Sequence, residues 1–145
     1  MPPVLYFNQL EDWPRIAGDE ALFRRAALAA LESCGEREGE ISFTFVSADA
    51  IRALNREYMG RDRPTDVIAF DLEGGSSLLG DVYISPEVAA LNAAEHGEAE
   101  RREILRLVIH GSLHVIGLDH PEGPGRDSSP MFVTQEELLR SLAGG

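Results

Sequence analysis

Residues 104–120 read ILRLVIHGSLHVIGLDH, the most apolar stretch of a 145-residue chain, and they hold three of its four histidines. A helix from about Ala99 to Ile116 accounts for the pattern. On such a helix His110 and His114, four residues apart, project from one face, a turn from each other. Gly117 follows where glycine permits the left-handed conformation that ends a helix and reverses the chain, so the turn carries His120 back toward the pair. Histidines directed into apolar flanks need partners for their ring nitrogens, because an unpaired buried polar group costs about 1–3 kcal/mol. A metal supplies such a partner. Three imidazoles from a helix pair and a returning loop fill three corners of a zinc tetrahedron and leave the fourth for water, the open arrangement of a catalytic site with the zinc-bound water as its reactive group. The competing reading is three separately satisfied core histidines. His96, just before Gly97, reads instead as a surface residue at a helix C-terminus.

Working outward, VLYFNQ (4–9), ISFTFVS (41–47), DVIAFDL (66–72) and LLGDVYIS (78–85) bunch or alternate strand-favouring residues. EGGSS separates the last two as a flexible turn. The helical periodicity of DEALFRRAALAALESCG stops at Gly35. A second helix is expected over Ala48 to Met59, with Ser47 as N-cap and Gly60 just past its end, and a third from Ser85-Pro86 to Gly97. The last helix is expected to start at the capping box Thr134 to Glu137, after a surface loop PEGPGRDSSP. There is no internal repeat and no second-domain boundary, so residues 1–145 form one domain. The expected fold is α+β, a four-stranded mixed sheet packed with about five helices, with the zinc site on a helix and the loop after it.

Composition narrows the chemistry. The single Cys34 excludes an internal disulfide and a cysteine-rich zinc site and reads as a small buried hydrophobe. All 13 basic residues are arginines, which removes Schiff-base lysines and the lysine-dependent phosphate loop. No secretion signal opens the chain and no apolar run approaches the roughly 18 residues of a membrane span, so a soluble, cytoplasmic protein is expected. A net charge of −12 disfavours sequence-independent binding of a polyanion, so any nucleic-acid role needs a local basic surface. Residues 52–63 offer one: Arg52, Arg56, Arg61 and Arg63 stand against only Glu57 and Asp62. A solvated helix face is the alternative for that stretch.

The histidine spacing also matches the zinc-peptidase pattern H-E-x-x-H-x-x-G-x-x-H at every ligand and at the glycine. It fails where those enzymes carry the glutamate that activates water, because that position here is Gly111. Peptide hydrolysis by that route therefore lacks its general base.

HGSLHVIGLDH closely resembles the H-G-x-L-H-x-x-G-x-D-H signature of the YbeY family, bacterial metal-dependent endoribonucleases described as rRNA maturation factors. LNREY, RPTDVIAF and LLGDVYIS are similar, in order and distance, to that family's other blocks, and the resemblance runs over roughly residues 40–140. It implies an α+β fold, zinc on His110, His114 and His120, one ion per chain, and action on single-stranded RNA in 16S rRNA 3′-end processing and ribosome quality control. The chain departs from the pattern at Met59, where the family has an arginine thought to contact RNA phosphate, and at Ala69, where it has serine. Asp66 and Asp81 match family positions, and cap or turn roles suit them as well as catalytic ones. Asp119, beside the third histidine, is placed to orient a ligand.

The sequence therefore points to a zinc-dependent endoribonuclease with single-stranded RNA, an rRNA precursor and the ribosome or its small subunit as partners, and neither DNA nor a membrane. Arg61 and Arg63 are the substrate-binding candidates in place of the missing arginine. Two other readings stay open: a ribosome-assembly factor with a structural zinc and little nuclease activity, and a zinc hydrolase of a small substrate. Gln135, on the final helix, is the control position, where an added arginine is expected to change RNA binding less than one at Met59.

Overall fold

Strands β1 (Val4–Asn8), β2 (Gly39–Phe45), β3 (Val67–Asp71) and β4 (Leu78–Ile84) form one sheet in the order β1-β2-β4-β3. The structure, a computed structural model, describes residues 3–35, 38–72, 78–117 and 130–142. β1, β2 and β4 run parallel, and β3 pairs antiparallel with β4 at the edge, so the sheet is mixed as the order of elements predicts. Alternation decides its faces. Ile41, Phe43 and Phe45 of β2 and Leu78, Val82 and Ile84 of β4 are buried on one side, while Ser42, Thr44, Asp81 and Tyr83 point to the other.

Among the described residues five helices accompany the sheet: α1 (Glu20–Ser33), α2 (Ala48–Met59), α3 (Pro86–Glu95), α4 (Glu100–Val115) and α5 (Pro130–Leu142). α4 lies at the centre of the molecule, against β3 and β4 on one side and α1, α3 and α5 around the rest. Its apolar residues face in several directions, and a helix apolar on most sides needs neighbours on most sides. Ile104, Leu105, Val108, Ile109 and Leu113 are buried accordingly.

Two glycines set how closely α4 rides on the sheet. A Cβ on Gly111 would lie 2.6 Å from Val82 Cγ1, and one on Gly80 would lie 2.5 Å from Val115 Cγ1. Each element thus presents a bare backbone to a valine of the other, and this reciprocal fit brings the helix carrying the histidines down onto β4. Gly111, read from the sequence as a missing catalytic glutamate, is here a packing requirement.

The helix ends follow their capping residues. Ser47 Oγ accepts from Ala50 N at 3.1 Å, Gly60 closes α2 with φ 70°, and Ser85 caps α3 with Pro86 in its first turn. The last helix corrects the expectation: it begins at Pro130, a full turn before the Thr134 capping box, which lies inside it. Proline's fixed φ suits a first helical position. The stripe Met131, Gln135 and Leu139 then buries at i, i+4 spacing, starting ahead of Thr134. Two short 3-10 turns, Leu10–Asp12 and Ala17–Asp19, connect β1 to α1 and were not expected. Cys34, at the end of α1, is half-buried against the core rather than fully inside it. EGGSS (73–77) lies outside the described residues, as does the expected 121–130 loop except for Pro130.

Candidate active site

Where α2 ends, the chain makes a tight excursion before entering β3, and Asn55 holds it together. Its backbone oxygen accepts from the N–H of Gly60 and, at 3.2 Å, from that of Arg61, while its Nδ2 donates to the Arg63 carbonyl at 2.9 Å. Asn55 is buried beside Ile51 on the inner face of α2. A polar residue there is tolerable because its amide is spent on the backbone of this segment. The excursion ends at Asp66, whose carbonyl accepts from Ser85 N at 2.9 Å and whose carboxylate accepts from Asn92 Nδ2 at 3.2 Å.

These elements enclose a cavity of about 580 Å³. His110 and His114 line it from α4, Met59, Arg61 and Arg63 from the end of α2 and the segment after it, and Asp66 from the mouth of β3. The structure therefore brings together two of the three expected metal ligands and both expected substrate-binding arginines. Gly117 adopts the left-handed conformation anticipated for it, with φ 102°. His120 and Asp119 lie outside the described residues. Among the described residues no group of three His, Cys, Asp or Glu side chains is arranged to hold a metal.

The basic stretch is less basic than its sequence. Asp62 pairs with Arg52 at 2.9 Å and approaches Arg56 at 3.8 Å, so one carboxylate answers the two arginines on the body of α2. The hydrogen bond from Arg52 holds the Asp62 carboxyl below its ordinary range. Arg61 and Arg63, which follow the helix, are the pair that reaches the cavity. Met59 is 45% exposed on the same wall, where an arginine would face the same space. Ala69 also lines it, placing a methyl where the family pattern has a hydroxyl. Asp81 does not line the cavity: it faces the opposite side of the sheet, paired in register with Phe70. His96 caps α3 as expected, exposed, with its Nδ1 2.8 Å from the Asn92 carbonyl.

A second cavity, of about 730 Å³, opens on the other side of His110 between α3, α4 and α5, and shares Asp66, Val67, Asn92 and His110 with the first. Its wall is a cluster of charges centred on Arg106, whose guanidinium donates to Glu98 at 2.8 and 3.1 Å, to Glu136 at 3.0 and 3.3 Å, and to Glu103. The Glu98 hydrogen bond and the surrounding carboxylates push Arg106 further up. Glu98 is held down by the same bond, whereas burial raises Glu103 despite its contact with Arg106. One guanidinium shared among three carboxylates explains the contrast: Glu103, 6% exposed, has lost the most solvation.

Gln135 joins this cluster to the histidines. It is 5% exposed, its Oε1 lies 2.9 Å from His110 Nδ1, and its Nε2 donates to Glu136 Oε2 at 3.0 Å. Gln135 therefore does not serve as the control position that the sequence suggested, because its side chain meets His110. The only local signal was a polar residue on the i, i+4 stripe between Met131 and Leu139, and that stripe was obscured by placing the helix start at Thr134.

The profile of the family described as "Endoribonuclease YbeY" matches residues 14–143. Two proteins called Endoribonuclease YbeY, from Lysinibacillus sphaericus and Moorella thermoacetica, are each 40% identical to this chain. The first alignment covers 87% of this chain and 85% of the relative, the second 93% and 94%. A solution structure of a Thermotoga maritima protein superposes with a TM-score of 0.63 at 26% identity, over 98% of this chain and 89% of that one. With its α+β architecture, its histidine helix and these relatives along nearly its whole length, the chain belongs to the endoribonuclease YbeY family.

Proposed function

We propose that this protein is a zinc-dependent endoribonuclease specific for single-stranded RNA, acting in the cytoplasm on the 3′ end of precursor 16S rRNA and in ribosome quality control. The observation that carries the reading is that a histidine pair and two arginines meet in one cavity. Two guanidinium groups in the same cavity as the histidine pair suit a ligand that carries several negative charges. An RNA strand is such a ligand, and each bound phosphate must be neutralised, all the more on a chain of net charge −12.

The donor set suits zinc: His110 and His114 supply two imidazoles a turn apart on one helix, open to the same cavity, and His120 would be the third ligand. When bound, zinc would supply Lewis-acid stabilisation of the charge building on the phosphate, whether water or the RNA 2′-hydroxyl attacks. Arg61 and Arg63 would hold the strand's phosphates at the rim. Asn55 keeps the segment bearing them in place, and Asn92 keeps the Asp66 carboxylate turned into the cavity wall. The helix bearing the pair is set by the Gly111 contact with Val82.

The test is incubation of zinc-loaded protein and its His114→Ala variant with a single-stranded precursor of the rRNA 3′ end. Cleavage by the wild type and none by the variant is expected. RNA binding without any wild-type cleavage would favour an assembly role, and absence of RNA affinity would favour a small-substrate hydrolase.

The wall at Met59 gives a second expected result. Met59→Arg should strengthen RNA binding and raise the magnitude of its salt slope by roughly 0.7, the increment for one added phosphate contact on a single strand. Arg61→Ala and Arg63→Ala should do the reverse. A proper control cannot sit at Gln135, which is buried against His110; Tyr6→Arg on β1, at the opposite edge of the sheet, serves instead. In a salt titration, equal behaviour of Met59→Arg and Tyr6→Arg, with both alanine variants like wild type, would place the RNA path elsewhere.

A further inference from the structure

The hydrogen bonds that run from His110 Nδ1 into α5 decide which partner holds the proton of that contact. Glu136, gripped through both carboxylate oxygens by Arg106, only accepts, so the Gln135 amide must turn its nitrogen toward it. That turns the Gln135 oxygen toward His110 at 2.9 Å. An amide oxygen also only accepts, so the proton between them is on His110 Nδ1. A neutral imidazole carries one N–H, and the lone pair is then on Nε2. Arg106 is itself fixed by Glu98 and Glu103, so the orientation of the amide is secured from the far side of the second cavity.

We propose that Gln135 is a positioning residue that holds His110 as its Nδ1–H tautomer, with Glu136 and Arg106 fixing the Gln135 amide, so that Nε2 is the nitrogen presented to a metal. The effect on metal affinity rests on the zinc reading above, whereas the tautomer belongs to the metal-free chain. Ring orientation and basicity of a metal-binding histidine are commonly set by such an acceptor on its other nitrogen. Here the acceptor comes from a different helix, α5, about which the histidine motif says nothing.

The experiment uses the full chain labelled with ¹⁵N-histidine, without metal, and reads the His110 ring nitrogens by long-range proton–nitrogen correlation NMR. A parallel zinc titration against a chelator gives affinity. The wild type should show the Nδ1–H form. Gln135→Leu should move His110 toward the Nε2–H form and weaken zinc binding about 10–100-fold. Gln135→Glu combined with Glu136→Gln keeps an acceptor toward His110 and a donor–acceptor pair between the two residues, since the new amide can donate to the new carboxylate, and should retain the tautomer and most of the affinity. Glu136→Ala, which removes only the partner that orients the amide, should shift both in the direction of the leucine variant but less. Nε2–H in the wild type would overturn the proposal, and so would a leucine variant with unchanged tautomer and affinity. If the leucine variant fails to fold, the wild-type spectrum and the double variant still decide. A wild type that binds no zinc would sink the metal reading, while the tautomer would continue to report on Gln135 separately. A merely structural Gln135 would lower the melting temperature of these variants and leave the His110 proton where it was.

Discussion

Gly111→Glu is expected to unfold the protein rather than turn it into a peptidase. The exchange restores the glutamate of the zinc-peptidase pattern, and on the motif alone it completes a general base. In the structure the position faces Val82, which is fully buried and branched at Cβ, so its methyls have no free torsion by which to retreat from a Cβ at 2.6 Å. Overpacking of this kind typically costs about 1–3 kcal/mol, and forcing an unpaired carboxylate into the contact between α4 and β4 adds several more. Against a total stability of about 5–15 kcal/mol that is a large loss. Gly111→Ala separates the terms: helix propensity favours alanine by about 1 kcal/mol, and the steric cost opposes it. A net destabilisation in urea, partly rescued by Val82→Ala in a double-mutant cycle, is the expected outcome. A stable Gly111→Glu variant would contradict the close packing, and zinc- and histidine-dependent cleavage of casein by the wild type would contradict the nuclease assignment.

The purified protein should hold about one zinc per chain, bound through nitrogen, and His110→Ala, His114→Ala or His120→Ala should each abolish most of the occupancy. Removing a direct ligand should cost more than the about 10–100-fold expected from removing an outer partner, so these variants should fall below Gln135→Leu in affinity. His96→Ala is the control, because that ring is exposed at the end of α3 and turned to the Asn92 carbonyl. Metal content by elemental analysis after dialysis decides. Unchanged zinc in all three variants would remove the histidines from the site.

What could be read from the chain alone was what depends on neighbours in sequence. The two serine caps, the Gly60 and Gly117 turns and the strands follow from residues within a few positions of one another, and each matches the structure to within about two residues. The i, i+4 pair His110 and His114 is a property of helical repeat and was equally visible. Tertiary structure decided the rest. Gly111 looked like a missing base because a motif records chemistry, while its reason is a valine 29 positions earlier in the chain. The basic run lost Arg52 and Arg56 to Asp62, because α2 and the segment after it fold so that one carboxylate meets both. Gln135 became a partner of His110 only because α5 packs against α4, bringing together side chains 25 residues apart. Periodicity states which face of a helix is apolar; which polar atoms meet across two such faces is set by how the helices cross, and that distance no local pattern encodes.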